Sequence, residues 1–210
     1  EQLRHRMPPI LKALKERSLR GRTPVEGLRR TECAYHGWDT VHADAASWEP
    51  FAPGDAFGGL GAHYCFRGGI TAPAGSAGRH LVCLVSTGAD DIWNNNNPQF
   101  LAYVDGRLVC GLDVNHNEFD LAACAVPGES HELALYVYCN TPARDVFLRV
   151  ETAERDDDVT GLYYDLRAPY EVCALLADDD TRAIGIMKHL NRVLNLLDLR
   201  DLDSGAFAQS

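Results

Sequence analysis

Asp113, Asn115, His116, Asn117 and Glu118 form a short run in which nearly every side chain can hydrogen-bond. A second polar run, Asn94–Asn97 with Gln99, lies upstream beside Trp93. Between the two, Asp105-Gly106 separates the apolar, β-prone arms Phe100–Val104 and Leu108–Cys110. Asp-Gly tolerates the positive φ angles of a two-residue type I′ turn, so the spacing predicts a tight hairpin. Both polar runs then leave the hairpin at the end away from its turn, and Asn95, Asn96, Asn97, Asp113, Asn115 and His116 are expected to share one surface. Sites for sugars combine an aromatic platform for the apolar ring face with amides and carboxylates for the hydroxyls. Trp93, Asn95, Asn97, Gln99, Asp113, Asn115 and His116 have that composition, and they are the candidate substrate-binding or interdomain residues. The same residues also suit a polar rim docked against another domain or subunit, and one Trp is a thin platform.

Other chemistries fit less well. Asp113-Val-Asn-His-Asn117 imitates the start of a calcium loop, but Glu118 stands where Gly is required and Cys124 where a bidentate Glu is required. Zinc on His116, Asp113 and Glu118 lacks a second ligand cluster to complete a tetrahedron, and a His and Asp satisfying loop backbone groups is the simpler reading. The sequence holds no Gly-x-Ser-x-Gly elbow and no Gly-rich phosphate loop. Asp90-Asp91 reads as loop capping. No catalytic residue or metal site is expected in this stretch, and no cofactor.

The 210 residues, 46% hydrophobic and 24% charged, have the composition of a soluble globular protein. No apolar run approaches the ~18 residues that a membrane span needs. Glu1–Arg6 is charged and Pro8-Pro9 follows, unlike a signal peptide, although the start at Glu1 leaves open whether a leader was removed. Seven cysteines are an odd count, and Cys65, Cys83, Cys110, Cys124 and Cys139 each sit in an apolar, strand-like run. Small buried thiols and a reducing, cytoplasmic setting are expected. The net charge of −10 is uneven: residues 1–30 carry nine Lys/Arg against three Glu, and the remainder 11 against 27. A nucleic-acid arm would want aromatics for stacking, and this one has none; a basic helix docked on an acidic body explains the charges better.

Periodicity divides the chain into a basic helix and linker (1–30), a β domain (31–156) and helices (157–210). Pro9–Arg20 reads as an amphipathic helix with Pro in its first turn, followed by a loop to about residue 30. In the middle region, Tyr64, Phe66 and Ile70 alternate against His63, Cys65 and Arg67, and Leu81–Val85 is apolar throughout. Leu133, Leu135, Val137 and Cys139 alternate against Glu132, Ala134, Tyr136 and Tyr138, and Val146, Leu148, Val150 and Thr152 against Phe147, Arg149 and Glu151. No helical pattern interrupts these strands, so the expected fold is mainly β, an antiparallel jelly-roll-like sandwich of galactose-binding-domain type with flanking helices. Pro169 is expected to open a helix to Leu176, and Asp178-Asp-Asp180 to end it and cap the next. In that last helix Ile184, Met187, Leu190, Leu194 and Leu197 form an apolar stripe, expected to be partly exposed or covered by another domain or copy.

The order Asn97-Pro-Gln99, Tyr103-Val-Asp-Gly106 and Gly111-Leu-Asp-Val-Asn-His116 resembles the N-terminal β-domain of bacterial, cytoplasmic-type α-mannosidases of glycoside hydrolase family 38. Trp48-Glu-Pro-Phe51, Gly58-Gly59 and His63-Tyr-Cys-Phe66 continue the resemblance upstream. Gly161-Leu-Tyr-Tyr-Asp-Leu166 and Asn195-Leu-Leu-Asp-Leu199 extend it downstream to a helical connection. The resemblance implies a parent enzyme that hydrolyses terminal α-mannosides with retention, using zinc held by a His-x-Asp segment of a catalytic domain. Here only His42-Ala-Asp44 has that spacing, and it lacks the following Trp and partner motif. The expected role of this stretch is therefore packing, assembly and shaping of the substrate cleft. Its partners would be its own catalytic domain, mannose-containing oligosaccharide and further copies, with no nucleic acid or membrane. A stand-alone carbohydrate-binding module and an oligomerisation domain are the alternatives.

Overall fold

The computed structural model describes residues 2–35, 37–87 and 98–198 together with Phe207. They form two compact units, one built from the described residues up to Arg20 and from Arg155 onward, the other from those between Gly21 and Glu154.

The larger unit is an antiparallel β-sandwich. A six-stranded sheet has the order β3 (Glu49–Pro50), β2 (Arg29–Cys33), β5 (His63–Thr71), β10 (Ser130–Tyr138), β7 (Gln99–Val104) and β8 (Arg107–Leu112). A four-stranded sheet has the order β1 (Leu19–Pro24), β12 (Arg149–Arg155), β6 (His80–Ser86) and β9 (Glu118–Ala122), and β4 (Ala56–Phe57) pairs with β11 (Val146–Phe147). Tyr64, Phe66, Leu133, Leu135, Val137 and Phe100 from the first sheet meet Cys83, Val85, Phe119 and Val150 from the second in one core. The period-two pattern of these strands specifies that arrangement, since alternate side chains point to opposite faces. Residues 19–20, expected as the end of the helix, and the expected loop to about residue 30 instead supply β1 and the start of β2: an Arg-rich sequence can build a sandwich edge because only one face needs burial. Two 3-10 turns, Gly37–His42 and Ala45–Ser47, interrupt the strands. Asp44 caps the second by accepting from the Ala46 N–H at 3.0 Å.

The predicted hairpin is β7–β8. Asp105 has φ 50° and Gly106 φ 75°, the left-handed pair that a type I′ turn demands. Asp105 does more than turn the chain. Its Oδ1 accepts from the Glu132 N–H at 2.9 Å and its Oδ2 lies 2.8 Å from His131 Nδ1, while its own N–H donates to the Glu132 carbonyl. The turn is thereby fastened to the neighbouring strand β10.

Helices α1 (Gln2–Ser18), α2 (Asp157–Ala174) and α3 (Thr181–Leu196) form the other unit. Met7 and Leu14 of α1, Val159, Tyr163 and Leu166 of α2, and Leu190 and Leu194 of α3 make its core. Two expected boundaries were wrong, both through proline. Helix α1 starts before Pro8-Pro9 and contains them. Pro8 leaves the Arg4 carbonyl without its i+4 donor, and the Tyr170 hydroxyl of α2 donates to that carbonyl at 3.4 Å. Helix α2 likewise begins at Asp157 rather than at Pro169. Asp156 accepts from the Val159 N–H at 3.1 Å and sets the start, leaving Pro169 inside. Asp180 caps α3 as expected.

The cations of α1 are used within this unit. Arg17 pairs with Asp156 at 3.1 Å, Arg4 with Asp178, Arg6 reaches Asn191 and Asn195 at 3.2 Å, and Lys15 lies 5.5 Å from the Tyr163 ring centroid. The α3 stripe splits. Leu190 and Leu194 are buried and Met187 and Leu197 pack beside them, whereas Ile184 is 54% exposed. Among the described residues no helix is long and apolar enough to cross a membrane.

The His131 side chain and then the Glu132 N–H hold the Asp105 carboxyl below the usual carboxylate range. A folded-state pKa below the unfolded value gives stability that is present above the unfolded pKa of about 3.9 and is lost as pH falls through the folded one. Melting temperature should therefore fall more steeply below pH ~4 in the natural protein than in Asp105→Asn, which keeps the turn but carries no titrating charge. Equal acid slopes in the two proteins would show that this contact is energetically silent.

Candidate functional site

The loop after β8 is organised by Asp113. Its Oδ1 accepts from the backbone N–H groups of Asn115 and His116, each at 2.8 Å, and its own N–H donates to the His116 carbonyl at 3.0 Å. Burial alone would raise the Asp113 pKa, but the His116 and Asn115 amides hold it below the usual carboxylate range. The loop is tied to the other sheet by the Val85 N–H, which donates to the Asn117 carbonyl at 2.8 Å. Asp113 is thus a scaffold, while Asn115 and His116 are presented to solvent, the His116 side chain being 81% exposed. His116 Nδ1 lies 3.4 Å from Asp113 Oδ1.

Gln99 is exposed at the start of β7. Phe100 pairs with Leu112, so the next step of the same register sets Gln99 opposite Asp113. Trp93, Asn95 and Asn97, with the rest of the upstream polar run, lie outside the described residues. The structure therefore brings Gln99 and Asp113 together and places Asn115 and His116 on the adjoining loop.

Residues not singled out from sequence adjoin this end of the hairpin. The outer face of the six-stranded sheet, turned away from the sandwich core, carries His63 on β5 and Tyr136 and Tyr138 on β10. Tyr138 pairs in register with both His63 and Gln99, and Tyr136 with Leu101. A hydrogen bond of 2.7 Å joins the Tyr136 hydroxyl to His63 Nδ1, and the His63 ring lies 5.7 Å from Tyr136 and 5.1 Å from Tyr138. Tyr35 meets His63 edge-on at 5.5 Å and Trp38 meets Tyr136 at 6.3 Å; the two are 70% and 41% exposed. The signal was present in the alternation of β10, whose second face reads Ala134, Tyr136, Tyr138 rather than a run of charges. Tyr136, Tyr138, Leu101, Gly111, Gln99 and Asp113 line a shallow depression of about 420 Å³.

Burial disfavours nucleophilic chemistry at four of the thiols. All seven cysteines are free. Burial pushes Cys65 and Cys33 up, Cys83 up to about 12 and Cys139 up to about 11, which keeps them protonated at neutral pH. Cys124, expected in a strand, is exposed in the turn after β9, where the apolar run Ala122–Val126 bends instead of extending. Among the described residues no three His, Cys, Asp or Glu side chains converge to hold a metal ion.

No protein-family model and no curated protein sequence matches the chain. Solved structures similar to it include the Faecalibacterium prausnitzii β-glucuronidase (12% identity, TM-score 0.45, covering 66% of this chain and 32% of that one). The β-glucuronidase of an uncultured Clostridium sp. (9%, 0.45, 66% and 30%) and the Ruminococcus gnavus β-glucuronidase in complex with D-glucuronic acid (8%, 0.46, 65% and 30%) are further examples. The chain spans about a third of the length of these enzymes. The likeness is distant, and the functional reading rests on this chain's own residues.

If Asp113 is scaffold and His116 is display, the two respond differently to truncation. Asp113→Ala removes the acceptor of two loop N–H groups and should cost about 1–2 kcal/mol in chemical denaturation. His116→Ala should stay within about 0.5 kcal/mol of the natural protein, as exposed substitutions do. A His116→Ala loss equal to that of Asp113→Ala would contradict this division.

Proposed function

We propose that this chain is the N-terminal, non-catalytic region of a glycoside hydrolase, and more closely of a bacterial α-mannosidase of glycoside hydrolase family 38 acting on terminal α-mannosides in the cytoplasm. The carrying observation is the series Tyr103-Val-Asp-Gly106 to Gly111-Leu-Asp-Val-Asn-His116. Those residues are the ones that fasten the hairpin turn to β10 and fold the following loop so that Asn115 and His116 project from it. A rigid loop with displayed polar side chains suits the wall of a cleft completed by another domain. Zinc and the nucleophile would belong to that other domain. The buried, protonated thiols support a reducing compartment.

An assembly role has its own support. On the helical unit Leu175, Leu196 and Ile184 are 87%, 76% and 54% exposed, apolar side chains that a further copy or another domain would cover.

Reading the encoding gene past Ser210 tests the proposal most directly: a His-x-Asp-x-x-Trp segment is expected shortly downstream. The isolated chain should neither hydrolyse a chromogenic α-mannoside nor retain stoichiometric zinc. In the full-length enzyme His116→Ala should lower kcat/KM by tenfold or more, about 1.4 kcal/mol of transition-state binding, with the melting temperature unchanged. Zinc-dependent turnover by these 210 residues alone would sink the assignment.

A further inference from the structure

The outer sheet face has a notch at one place. Its residues follow in rows across the strands: His63, Tyr138, Gln99 and Asp113 in one, Cys65, Tyr136, Leu101 and Gly111 in the next. Each step between strands is about 4.8 Å. In the second row Gly111 contributes no side chain, so the surface drops beside Leu101. The depression of about 420 Å³ lies there, within the range of about 300–1,000 Å³ usual for small-ligand clefts.

Its walls are chemically unequal. On one side stand Tyr138 and Tyr136, held by His63 through ring contacts and the 2.7 Å hydrogen bond. Facing them are the Gln99 amide and the Asp113 carboxylate, whose Oδ1 is held by two backbone N–H groups. The amide both donates and accepts, the carboxylate accepts, and an aromatic wall suits C–H-rich ring surface. Bracing from behind keeps the ordering cost of binding low. Among the described residues that line the depression, Asp113 is the one carboxylate, too few for a cation, and there is no Lys or Arg to favour an anion.

We propose that this groove binds a single neutral pyranose ring, with Tyr138 as the apolar platform and Gln99 and Asp113 as hydroxyl partners. It is a sugar subsite of this chain itself, not requiring a second domain. The idea rests on the carbohydrate reading above and deepens it.

Gly111→Val is the sharpest test. A Cβ at Gly111 would meet the Phe100 carbonyl oxygen at 3.8 Å and Leu101 Cδ2 at 4.0 Å, ordinary contacts. A β-branched residue suits a strand, so the variant should fold while filling the notch. The 210-residue chain is titrated with methyl α-D-mannopyranoside and with methyl β-D-glucopyranosiduronate, followed by calorimetry and by amide chemical shifts. Expected are weak, saturable binding of the mannoside, shifts centred on Gln99, Gly111 and Tyr138, and affinity at least tenfold lower in Gly111→Val and Gln99→Ala. Glu16→Gln on α1 should bind normally. If Tyr138→Ala fails to fold, Gln99→Ala, whose side chain is exposed, carries the test. No saturable sugar binding, or binding undiminished in Gly111→Val, overturns the subsite, and leaves the parent-enzyme reading to the gene downstream. Binding of the glucuronide in preference to the mannoside also overturns the neutral-ring proposal and counts against the mannosidase assignment.

Discussion

The register of β10 is the constraint on which the sandwich depends. This strand pairs with β5 along one edge and with β7 along the other. Slipping it by one residue would turn Leu133, Leu135 and Val137 out of the core and drive Tyr136 and Tyr138 into it. Hydrophobic burial opposes that slip strongly, since each large side chain moved costs about 1.5–3 kcal/mol. Polar contacts then select the register within the space that burial allows. Asp105 binds His131 and Glu132 at the turn end, and Tyr136 binds His63 towards the other. The diagonal ion pair Arg67–Glu132, at 2.6 Å, lies between them on the same face. The inner side of the sheet is specified by buried area, the outer side by these polar contacts together with the packing of Val41 and Trp48 on Cys65 and Tyr136.

That division explains what was legible in the sequence. Core positions follow from alternation because burial is a property of single residues repeated at period two, and Tyr64, Phe66, Leu133, Leu135 and Val137 all lie where the pattern put them. The type I′ hairpin was legible because Asp-Gly is a local solution to a local steric demand. The prolines misled for the opposite reason. Pro8 removes the donor to the Arg4 carbonyl, and the Tyr170 hydroxyl that donates there instead is remote in sequence. A residue so distant leaves no trace in a helical window. Helix α2 shows the same competition: the Asp156 cap decides its start and outweighs an internal Pro169.

The candidate site was legible in part for a related reason. Gln99 and Asp113 are hairpin neighbours, and hairpin geometry can be computed from turn length alone. Tyr138 and Tyr136 join them through the β7–β10 pairing, which brings together residues about 35–40 positions apart in the chain. Aromatic residues on the second face of β10 signalled that this face is covered or used, but not by what. The structure supplies the answer for part of it: Val41, Trp48 and Tyr103 pack there with Cys65 and Tyr136. Among the described residues this cover does not reach the end nearest Gln99, which is itself exposed.

The helical unit adds a constraint of a different kind. Met7 and Leu14 come from one end of the chain and Leu190 and Leu194 from the other. The core that joins them therefore forms only after the intervening residues are made. Closing so long a loop is inexpensive at equilibrium, because its entropic cost grows only with the logarithm of length. It is slow to search, however, since non-local contacts reward the chain only after closure. The cations of α1 fit this arrangement. Pairing Arg4 with Asp178 and Arg17 with Asp156 draws the basic end towards the acidic turns that flank α2. Exposed pairs contribute little to stability, but long-range attraction between oppositely charged segments speeds their encounter. In the folded helical unit these α1 cations have acidic partners from the opposite side of the β region in sequence.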